Sequence, residues 1–380
     1  MTNPIRVAVL TTGRQDYGIL RSTVHAMHKD PRFDLRLWVG GMHLSQRFGN
    51  TIELIEVENV PISQQLDFLG EPPEPIGDAS KALKMVGDVL ELESPDALLL
   101  VGDRSETLAA GLAATIATVP IIHLHGGEET EGAIDNVMRH ALTKLSHLHL
   151  VSHHTYGKRV AQMGEALQNI VEVGAPGLDN RFRDDLPSVD DLEDFLGLAL
   201  LDPVVLVTMH PTTLSDQDPL SEVIAVSDAM DQVEATYVVT LPNSDAGGSD
   251  IRGYWLDWSQ GRKNIVVKEV LGEARFWSLL NCAKAMLGNS SSGMLEAPSA
   301  GVNVVNVGDR QLGRMRNSRI RDVPANAAEV TTCLREAIKQ DWVLTDEVRD
   351  FDSRLVSQRI IEAIVKWDNR ASLRKSFHSL

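Results

Sequence analysis

Histidines and acidic residues crowd one stretch near the middle of the chain. Seven of the twelve histidines lie between His123 and His154. The acidic residues of the same stretch are Glu128, Glu129, Glu131 and Asp135. Imidazole and carboxylate groups exchange protons near neutral pH, and a structural linker has no need of so many. The stretch therefore predicts a site that moves protons on and off a bound molecule.

Two acids stand out as candidates for proton transfer. Asp135 and Arg139 are four residues apart on a predicted helix and share one face, so Arg139 could hold Asp135 ionised. The structural alternative is a surface ion pair worth only a few tenths of a kcal/mol. Asp103 ends the segment DALLLVGD and Arg104 follows it, at a strand end of the kind where open α/β sheets bind ligands. Their alternative role is to cap the next helix.

The histidine pairs allow a competing metal interpretation. His123 and His125 alternate along a predicted strand and would point to one side of it, as zinc ligands can. His147 and His149 repeat the spacing on the next strand. No third ligand follows at a recognisable spacing, so we expect no metal and interpret these histidines as strand residues, with the role of His125 open.

The second half of the chain carries a candidate anion site. In GNSSSGMLEAPSAG, a strand ends, hydroxyl residues follow and a helix begins near Met294. Backbone N–H groups at such a helix start bind phosphate, and a serine cap is the alternative. The candidate ligand-binding residues are Ser290, Ser291, Gly293 and Glu296.

Other polar residues follow neighbouring strands of this half. His210 ends the run VVLVTMH and Asn243 ends the next strand along the chain. Both positions favour a ligand site, although a structural histidine remains an alternative. Arg310, Arg314 and Arg316 add positive charge, or form a solvated basic loop, which we favour for Arg316.

The elements that must position these residues alternate between apolar strands and helices. The pattern starts with IRVAVLTTG and restarts at DPVVLVTMHP, after the Gly/Pro-rich segment GAPGLDN. It predicts an α/β chain of two doubly wound Rossmann-like domains facing across a cleft. The predicted boundaries are residues 1–177 for the domain with the acid/base residues, 178–354 for the domain with the candidate anion site and 355–380 for a C-terminal helix.

Composition limits the function further. A formal net charge of −17 argues against a nucleic acid or an anionic membrane as partner. Two cysteines without metal-ligand spacing suit a reducing compartment, and the N-terminus has no signal-peptide pattern. No apolar run reaches the ~18 residues of a membrane span. We therefore expect a cytoplasmic protein that uses no nucleic-acid, membrane or cofactor partner.

The motifs together resemble those of the UDP-N-acetylglucosamine 2-epimerase family, in its hydrolysing branch, which makes precursors of sialic and legionaminic acids. They occur in family order along most of the chain. The matching segments are TTGRQDYGIL, VGDRSET, HLHGGEETEGAIDNVMRHALTKLSHLHLVS, VTMHP, PNSDAGG, GNSSSGMLEAP and VNVGDRQLGR.

This resemblance implies a GT-B-like fold whose last helix crosses back to the first domain, and commonly a homodimer. It implies catalytic roles for Asp103 and Asp135. It also implies a site for uridine diphosphate, and the residues at the matching positions are Arg14, Arg104, His210, Asn243, Ser290, Ser291, Gly293 and Glu296. The reaction would remove the C2 proton of a UDP-sugar, eliminate UDP to leave a glycal and add water.

Two departures leave the acid/base assignment open. His125 stands where sialic-acid-type relatives often carry glutamate, so Glu128, Glu131 or His125 itself could serve, and Asn136 replaces a second acid. We also keep His210 as a catalytic candidate and Arg314 as a nucleotide ligand. The alternatives are a GT-B-type glycosyltransferase, a GDP-sugar-specific hydrolysing epimerase and a silent sugar-nucleotide sensor. The acid-rich stretch disfavours the transferase and the sensor, because neither needs several bases beside a sugar.

Overall fold

The chain divides into two compact domains, residues 1–180 with 353–380 and residues 181–352. A computed structural model describes the following residues, with the side chains of Asp135 and Pro219 left out: 3–71, 74–129, 135–211, 219–242, 248–312, 314–340, 342, 355–367 and 373–379. Within them, no helix is both long and apolar enough to cross a membrane.

The first domain is built on a seven-stranded parallel sheet. Its strands are β1 (Ile5–Thr11), β2 (Phe33–Gly40), β3 (Ile62–Leu66), β4 (Ala97–Val101), β5 (Ile121–Leu124), β6 (Leu148–Val151) and β7 (Ile170–Glu172). They are ordered β3-β2-β1-β4-β5-β6-β7. Its first six helices are α1 (Arg14–Lys29), α2 (Ile52–Glu56), α3 (Pro75–Glu93), α4 (Ser105–Ile116), α5 (Asp135–Leu145) and α6 (His154–Gln162).

The second domain repeats the design with a six-stranded parallel sheet. Its elements are α7 (Val189–Leu196), β8 (Val204–Thr208), α8 (Pro219–Met230), β9 (Thr236–Thr240), α9 (Gly248–Trp258), β10 (Ile265–Lys268), α10 (Glu273–Cys282), β11 (Ala285–Gly288), α11 (Glu296–Ser299), β12 (Asn303–Val307), β13 (Ile320–Val323) and α12 (Ala327–Lys339). Its strand order is β10-β9-β8-β11-β12-β13. The last helix in the described part of the chain, α13 (Val356–Lys366), belongs to the first domain.

These sheets confirm the predicted class of doubly wound α/β domains. Strands β4 and β8 are buried at every position, as expected of central parallel strands covered by helices on both faces. The sequence did not predict β3 or β13, whose patterns ISQQL and IRDV carry polar residues. Each pairs with a single neighbour at the edge of its sheet, where strands need less apolar sequence.

Two apolar clusters cover the two faces of the first sheet. On one face, α1 contributes Leu20 and α13 contributes Ile360, both fully buried. On the other face, α3 contributes Val86 and α5 contributes Leu142, also fully buried. Burying such side chains stabilises the fold by about 1.5–3 kcal/mol each, so α5 is fixed to the sheet by its apolar side.

A buried aspartate caps α13. The Asp179 carboxylate accepts the backbone N–H groups of Val356 and Ser357, each at 2.8 Å, and its residue is only 6% exposed. The first N–H groups of a helix have no intrahelical partner, and a carboxylate there also complements the helix dipole. Asp179 thereby connects the end of the first 180 residues to the helix that returns to them.

Replacing Asp179 by alanine should lower the free energy of unfolding by about 2 kcal/mol, because two buried N–H donors lose their acceptor. Urea denaturation followed by circular dichroism measures it. Asp184→Ala is the matched control, since Asp184 is exposed and its loss should change stability by less than about 0.5 kcal/mol. Equal stabilities of the two variants would contradict the capping role.

Candidate active site

Both sheets reverse their strand order at one place, and the candidate residues follow the strands that meet there. The reversals lie between β1 and β4 and between β8 and β11. Asp103 comes two residues after β4, His210 two residues after β8, and Ser290 two residues after β11. Doubly wound sheets bind ligands in the crevice outside such strand ends. Each domain therefore presents its predicted residues at its own switch point.

Asp103 forms a close ion pair with Arg139. The Arg139 guanidinium donates from Nη2 to Asp103 Oδ2 and from Nη1 to the carbonyl oxygen of Glu128 at 2.8 Å. The Arg139 side chain is 7% exposed and the Asp103 side chain 21% exposed. Asp103 is not the cap of α4, since Arg104 occupies that position. The partly open carboxylate is thus held ionised by a buried cation.

The sequence paired Arg139 with Asp135, and that pairing stays a prediction. Arg139 lies on α5 in the predicted place, and among the described residues it contacts the end of the neighbouring strand through Asp103. Helical spacing reports which residues share a face, and it carries no information on what that face meets. The Asp135 side chain and the whole of Glu131 lie outside the described residues.

His125 and Glu128 form a second pair beside the first. His125 Nδ1 lies 2.7 Å from Glu128 Oε1, and the Ser152 hydroxyl donates to the same oxygen at 2.5 Å. With Nδ1–H donated to a carboxylate, Nε2 is the basic nitrogen of the ring. A paired imidazole and carboxylate of this kind can act as a general acid and base.

The expectation that His123 and His125 point to one side of a strand was wrong. Strand β5 ends at Leu124, and His125 has a φ of +64°, in the left-handed region that non-glycine residues seldom adopt. Such strained residues cluster at functional sites. The turn separates the two imidazoles, so His123 stays in the sheet and His125 joins Glu128.

Three further histidines of the stretch are buried in the sheet or directly beside it: His123 on β5, His149 on β6 and His147 just before β6. His123 Nε2 lies 3.0 Å from the Gly102 carbonyl, and burial lowers the pKa of His123 to about 3. His149 Nε2 lies 3.0 Å from Glu165 Oε2, and burial also lowers the pKa of His149. Burial lowers the pKa of His147 to about 4. Neutral, enclosed rings of this kind support the sheet and do not exchange protons with a substrate.

One surface group in the described part of the chain could hold a metal ion. His153, His154 and Glu172 place one ligand atom each within 4.8 Å of one another. His153 Nδ1 accepts the Thr155 N–H at 3.2 Å as the cap of α6, which leaves a loose set of exposed ligands. This group does not include the H-x-H pairs on which the metal interpretation rested.

The loop after β1 places the arginines of the first domain. Asp16 accepts the Thr12 hydroxyl at 2.5 Å and the Thr12 N–H at 3.1 Å, and burial raises its pKa. This closes a tight turn around Arg14, which is exposed at the start of α1. Arg104 donates to Glu106 Oε1 at 2.6 Å. Both arginines lie at the β1/β4 switch point. Their positive charges would complement an anionic ligand bound there.

Asn289 organises the corresponding site of the second domain. Its side chain accepts the His210 N–H at 2.7 Å and donates to the His210 carbonyl at 2.9 Å. Its own carbonyl accepts from Arg310 at 3.1 Å and from Gln311 at 2.8 Å. Asn289 is fully buried and so fixes the loops after β8, β11 and β12 to one another. The sequence highlighted its serine neighbours and missed it, although the strand-end position was a signal.

The predicted anion loop follows directly. Ser290 caps a 3₁₀ turn, Ser291–Gly293, and α11 begins at Glu296. Gly288, at a φ of +135°, lies so close to β8 that a Cβ atom would come within 2.0 Å of the Thr208 carbonyl oxygen. Any side chain there would separate the two strands at the switch point. The close contact between Gly288 and β8, which only glycine permits, therefore fixes the position of Ser290 and Ser291.

The remaining predicted residues are placed unevenly. Arg314 is exposed, and its carbonyl accepts from Arg316 at 2.8 Å. Arg316 also pairs with Asp322, its Nε lying 3.0 Å from Asp322 Oδ2, so it is an ion-pairing residue of its loop. Asn243 lies outside the described residues.

Asn289→Ala should weaken the binding of uridine diphosphate, the ligand implied by the resemblance, by roughly tenfold, because the His210 peptide loses both buried partners. Isothermal titration calorimetry measures the affinity. Asn303→Ala is the matched control, since Asn303 on β12 is also buried and donates at 3.2 Å to the Ala337 carbonyl on α12, and it makes no hydrogen bond to His210. Both variants should melt earlier, and only Asn289→Ala should lose affinity. Equal affinities would refute the role of Asn289.

Comparisons with known proteins agree with this geometry. The family model described as UDP-N-acetylglucosamine 2-epimerase matches residues 25–365. The chain is 35% identical over 346 residues to the UDP-N,N'-diacetylbacillosamine 2-epimerase (hydrolyzing) of Legionella pneumophila, covering 88% of this chain and 90% of the relative. It is 32% identical to the polysialic acid biosynthesis protein P7 of Escherichia coli, covering 84% and 82%.

Solved structures share the fold at low sequence identity. The UDP-GlcNAc 2-epimerase of Methanocaldococcus jannaschii has a TM-score of 0.78 at 14% identity, covering 95% of this chain and 99% of its own. The enzyme of Neisseria meningitidis bound to UDP-GlcNAc has a TM-score of 0.76 at 15% identity, covering 95% and 100%. These likenesses confirm the GT-B-like fold class. With the family model and the curated relatives, they show that the chain belongs to the hydrolysing branch of the UDP-N-acetylglucosamine 2-epimerase family.

Proposed function

We propose that this enzyme converts a UDP-linked 2-acetamido sugar to UDP and the free 2-epimer, through a glycal. The observation that carries the proposal is the pairing of Asp103 with Arg139 next to the pairing of His125 with Glu128. Two acid/base pairs at the ends of adjacent strands suit a reaction with two proton transfers. A glycosyltransferase needs no second pair, and the relatives do not favour one.

In the first step a carboxylate takes the proton from C2 of the sugar. The C2–H electron pair forms the C1=C2 double bond, and the C1–O bond breaks with its electrons leaving on UDP. Asp103 and Asp135 are the proposed bases. Arg139 keeps Asp103 ionised and therefore able to accept a proton, and it lies where negative charge must be balanced.

In the second step water adds across the double bond. Its hydroxyl goes to C1, and a proton is delivered to C2 on the face opposite to the one first deprotonated. We assign this acid/base work to His125 with Glu128, and keep Glu131 as a further candidate. The imidazole suits the role because its ordinary pKa lies near neutrality, so it both takes and gives protons.

The second domain is the proposed nucleotide site. His210, with Ser290, Ser291, Gly293 and Glu296, follows β8 and β11, and Asn243 and Arg314 are further proposed contacts. N–H groups and hydroxyls at a strand-to-helix turn stabilise the leaving diphosphate, and Arg14 and Arg104 of the first domain supply positive charge.

The sugar is proposed from the relatives' names. One relative is a hydrolysing epimerase of UDP-N,N'-diacetylbacillosamine and another a polysialic acid biosynthesis protein. We propose either UDP-2,4-diacetamido-2,4,6-trideoxyglucose or UDP-N-acetylglucosamine as substrate, for sialic- or legionaminic-type acids. A relative in Campylobacter jejuni is named for GDP- and UDP-linked sugar, so the GDP form is the alternative. A homodimer in the cytoplasm is the proposed working state.

Incubation in deuterated water tests the reaction. Each candidate UDP-sugar and its GDP counterpart is offered, and mass spectrometry and NMR follow the products. We expect UDP and a free manno-configured sugar with one deuterium at C2, because the new C2–H bond takes its proton from solvent. UDP release without deuterium at C2 would mean plain hydrolysis and would reject the epimerase mechanism.

Asp103→Asn should lower kcat by about 10³-fold or more while leaving UDP affinity within about twofold, because the base and the partner of Arg139 are lost together. Steady-state kinetics and calorimetry separate the two effects. Asp88→Asn is the control, since Asp88 is exposed and, among the described residues, forms its ion pair with Lys84 at 2.5 Å within α3. A large loss of UDP affinity in Asp103→Asn would assign Asp103 to binding.

A further inference from the structure

The C-terminal segment, residues 373–379, lies on the first domain at the end of α5. Lys375 Nζ donates to the carbonyl oxygen of Lys144 at 2.7 Å and of Ser146 at 2.5 Å. It also pairs with Glu165 Oε2 at 2.9 Å, and the Lys375 side chain is 25% exposed. One ammonium group thus satisfies three acceptors that are about 200 residues away along the chain or more.

The two carbonyl groups belong to the C-terminal end of a helix that carries a site residue. Lys144 is in the last turn of α5 and Ser146 follows that helix directly. The last carbonyls of a helix lack intrahelical partners, and the negative end of the helix dipole attracts a cation. Lys375 therefore fixes the far end of the helix on which Arg139 holds Asp103.

The third acceptor, Glu165, connects Lys375 to the Asp103 loop through a second set of contacts. Glu165 is 4% exposed and also binds Lys144 Nζ at 2.5 Å and His149 Nε2 at 3.0 Å. Burial alone would raise the pKa of Glu165, but hydrogen bonds from His149, Lys144 and Lys375 outweigh it and lower the pKa to about 2. Glu165 is therefore an anion that keeps His149 in place.

His149 in turn supports the strand end at the site. His149 and His123 are register partners on β6 and β5. His123 Nε2 lies 3.0 Å from the carbonyl of Gly102, the residue before Asp103. The path from Lys375 through Glu165 and these two histidines reaches the Asp103 loop through buried side chains.

Contacts with Gly164 hold the C-terminal segment, residues 373–379, in this position. Gly164 has a φ of +83°, and a Cβ atom there would come within 2.5 Å of the Phe377 ring. The His378 N–H donates to the Gly164 carbonyl at 3.0 Å. The ring and the backbone bond set the segment against the turn before Glu165, which places the Lys375 ammonium group between its acceptors.

We propose that Lys375 is a positioning residue for the acid/base site: by binding the end of α5 and the Glu165 carboxylate, it fixes Arg139 and Asp103 for catalysis. This role rests on the proposed epimerase reaction. Lys375 acts through Arg139 and Asp103 and not on the substrate itself. Its loss should therefore lower turnover and leave nucleotide affinity unchanged. The relevant substrate step is C2 deprotonation.

Lys375→Met should lower kcat for UDP release by roughly tenfold to a hundredfold, because small misplacements of catalytic groups have effects of that size. KM and calorimetric UDP affinity should stay within about twofold. Lys375→Arg, which keeps the charge and several donors, should restore most of the lost kcat. All rates are measured well below the melting temperatures found by circular dichroism, so that only folded enzyme is compared.

Arg374→Met is the matched control, because Arg374 is exposed in the same segment and has no hydrogen bond to the described part of the chain. It should keep the wild-type kcat. A folded Lys375→Met enzyme with wild-type kcat, or one that loses UDP affinity as much as kcat, would overturn the role of Lys375. A wild-type enzyme that releases no UDP from any candidate sugar would overturn the proposed reaction itself.

Discussion

The ion pair between Arg139 and Asp103 is the constraint on which the first domain depends. A buried guanidinium is costly unless it is paired, and an unpaired carboxylate at a strand end would be free to turn away. Joining them fixes α5 against the end of β4 and keeps the carboxylate ionised and partly open to a ligand. The apolar side of α5, through Leu142, supplies the packing that makes this geometry rigid.

In the second domain the corresponding role belongs to a neutral side chain, the amide of Asn289. The Asn289 side chain makes two hydrogen bonds to the His210 backbone, as a neighbouring strand would. Its backbone carbonyl accepts a hydrogen bond from Gln311 in the loop after β12. A neutral amide with all its hydrogen bonds satisfied gives a rigid, buried node that leaves the loop surface available for an anion. The residues proposed for proton transfer and most of those proposed for nucleotide binding are therefore supported in different ways, the first by an ion pair and the second by a buried amide.

The sequence predicted the doubly wound domains because fully apolar strands and glycine-rich strand ends are local signals. It singled out Asp103 by its place at a strand end, and His125 and Glu128 by the density of histidines and acids around them. It could not predict that Arg139 turns to Asp103 or that Asn289 holds His210, since both contacts join separate elements. The edge strands β3 and β13 were missed because their exposure permits polar residues. Nothing in the local pattern of residues 373–379 indicated a contact with α5.

The central claim is that Asp103 and Arg139 act as one unit, and a double-mutant cycle tests it most directly. kcat/KM for UDP release is measured for Asp103→Asn, Arg139→Gln and the double variant, with folding checked by circular dichroism. When two residues act as a unit, the losses of kcat/KM from their single substitutions do not add in free energy. The double variant should therefore be about as active as the less active single variant. Losses that multiply across the two substitutions would show independent roles and contradict the account.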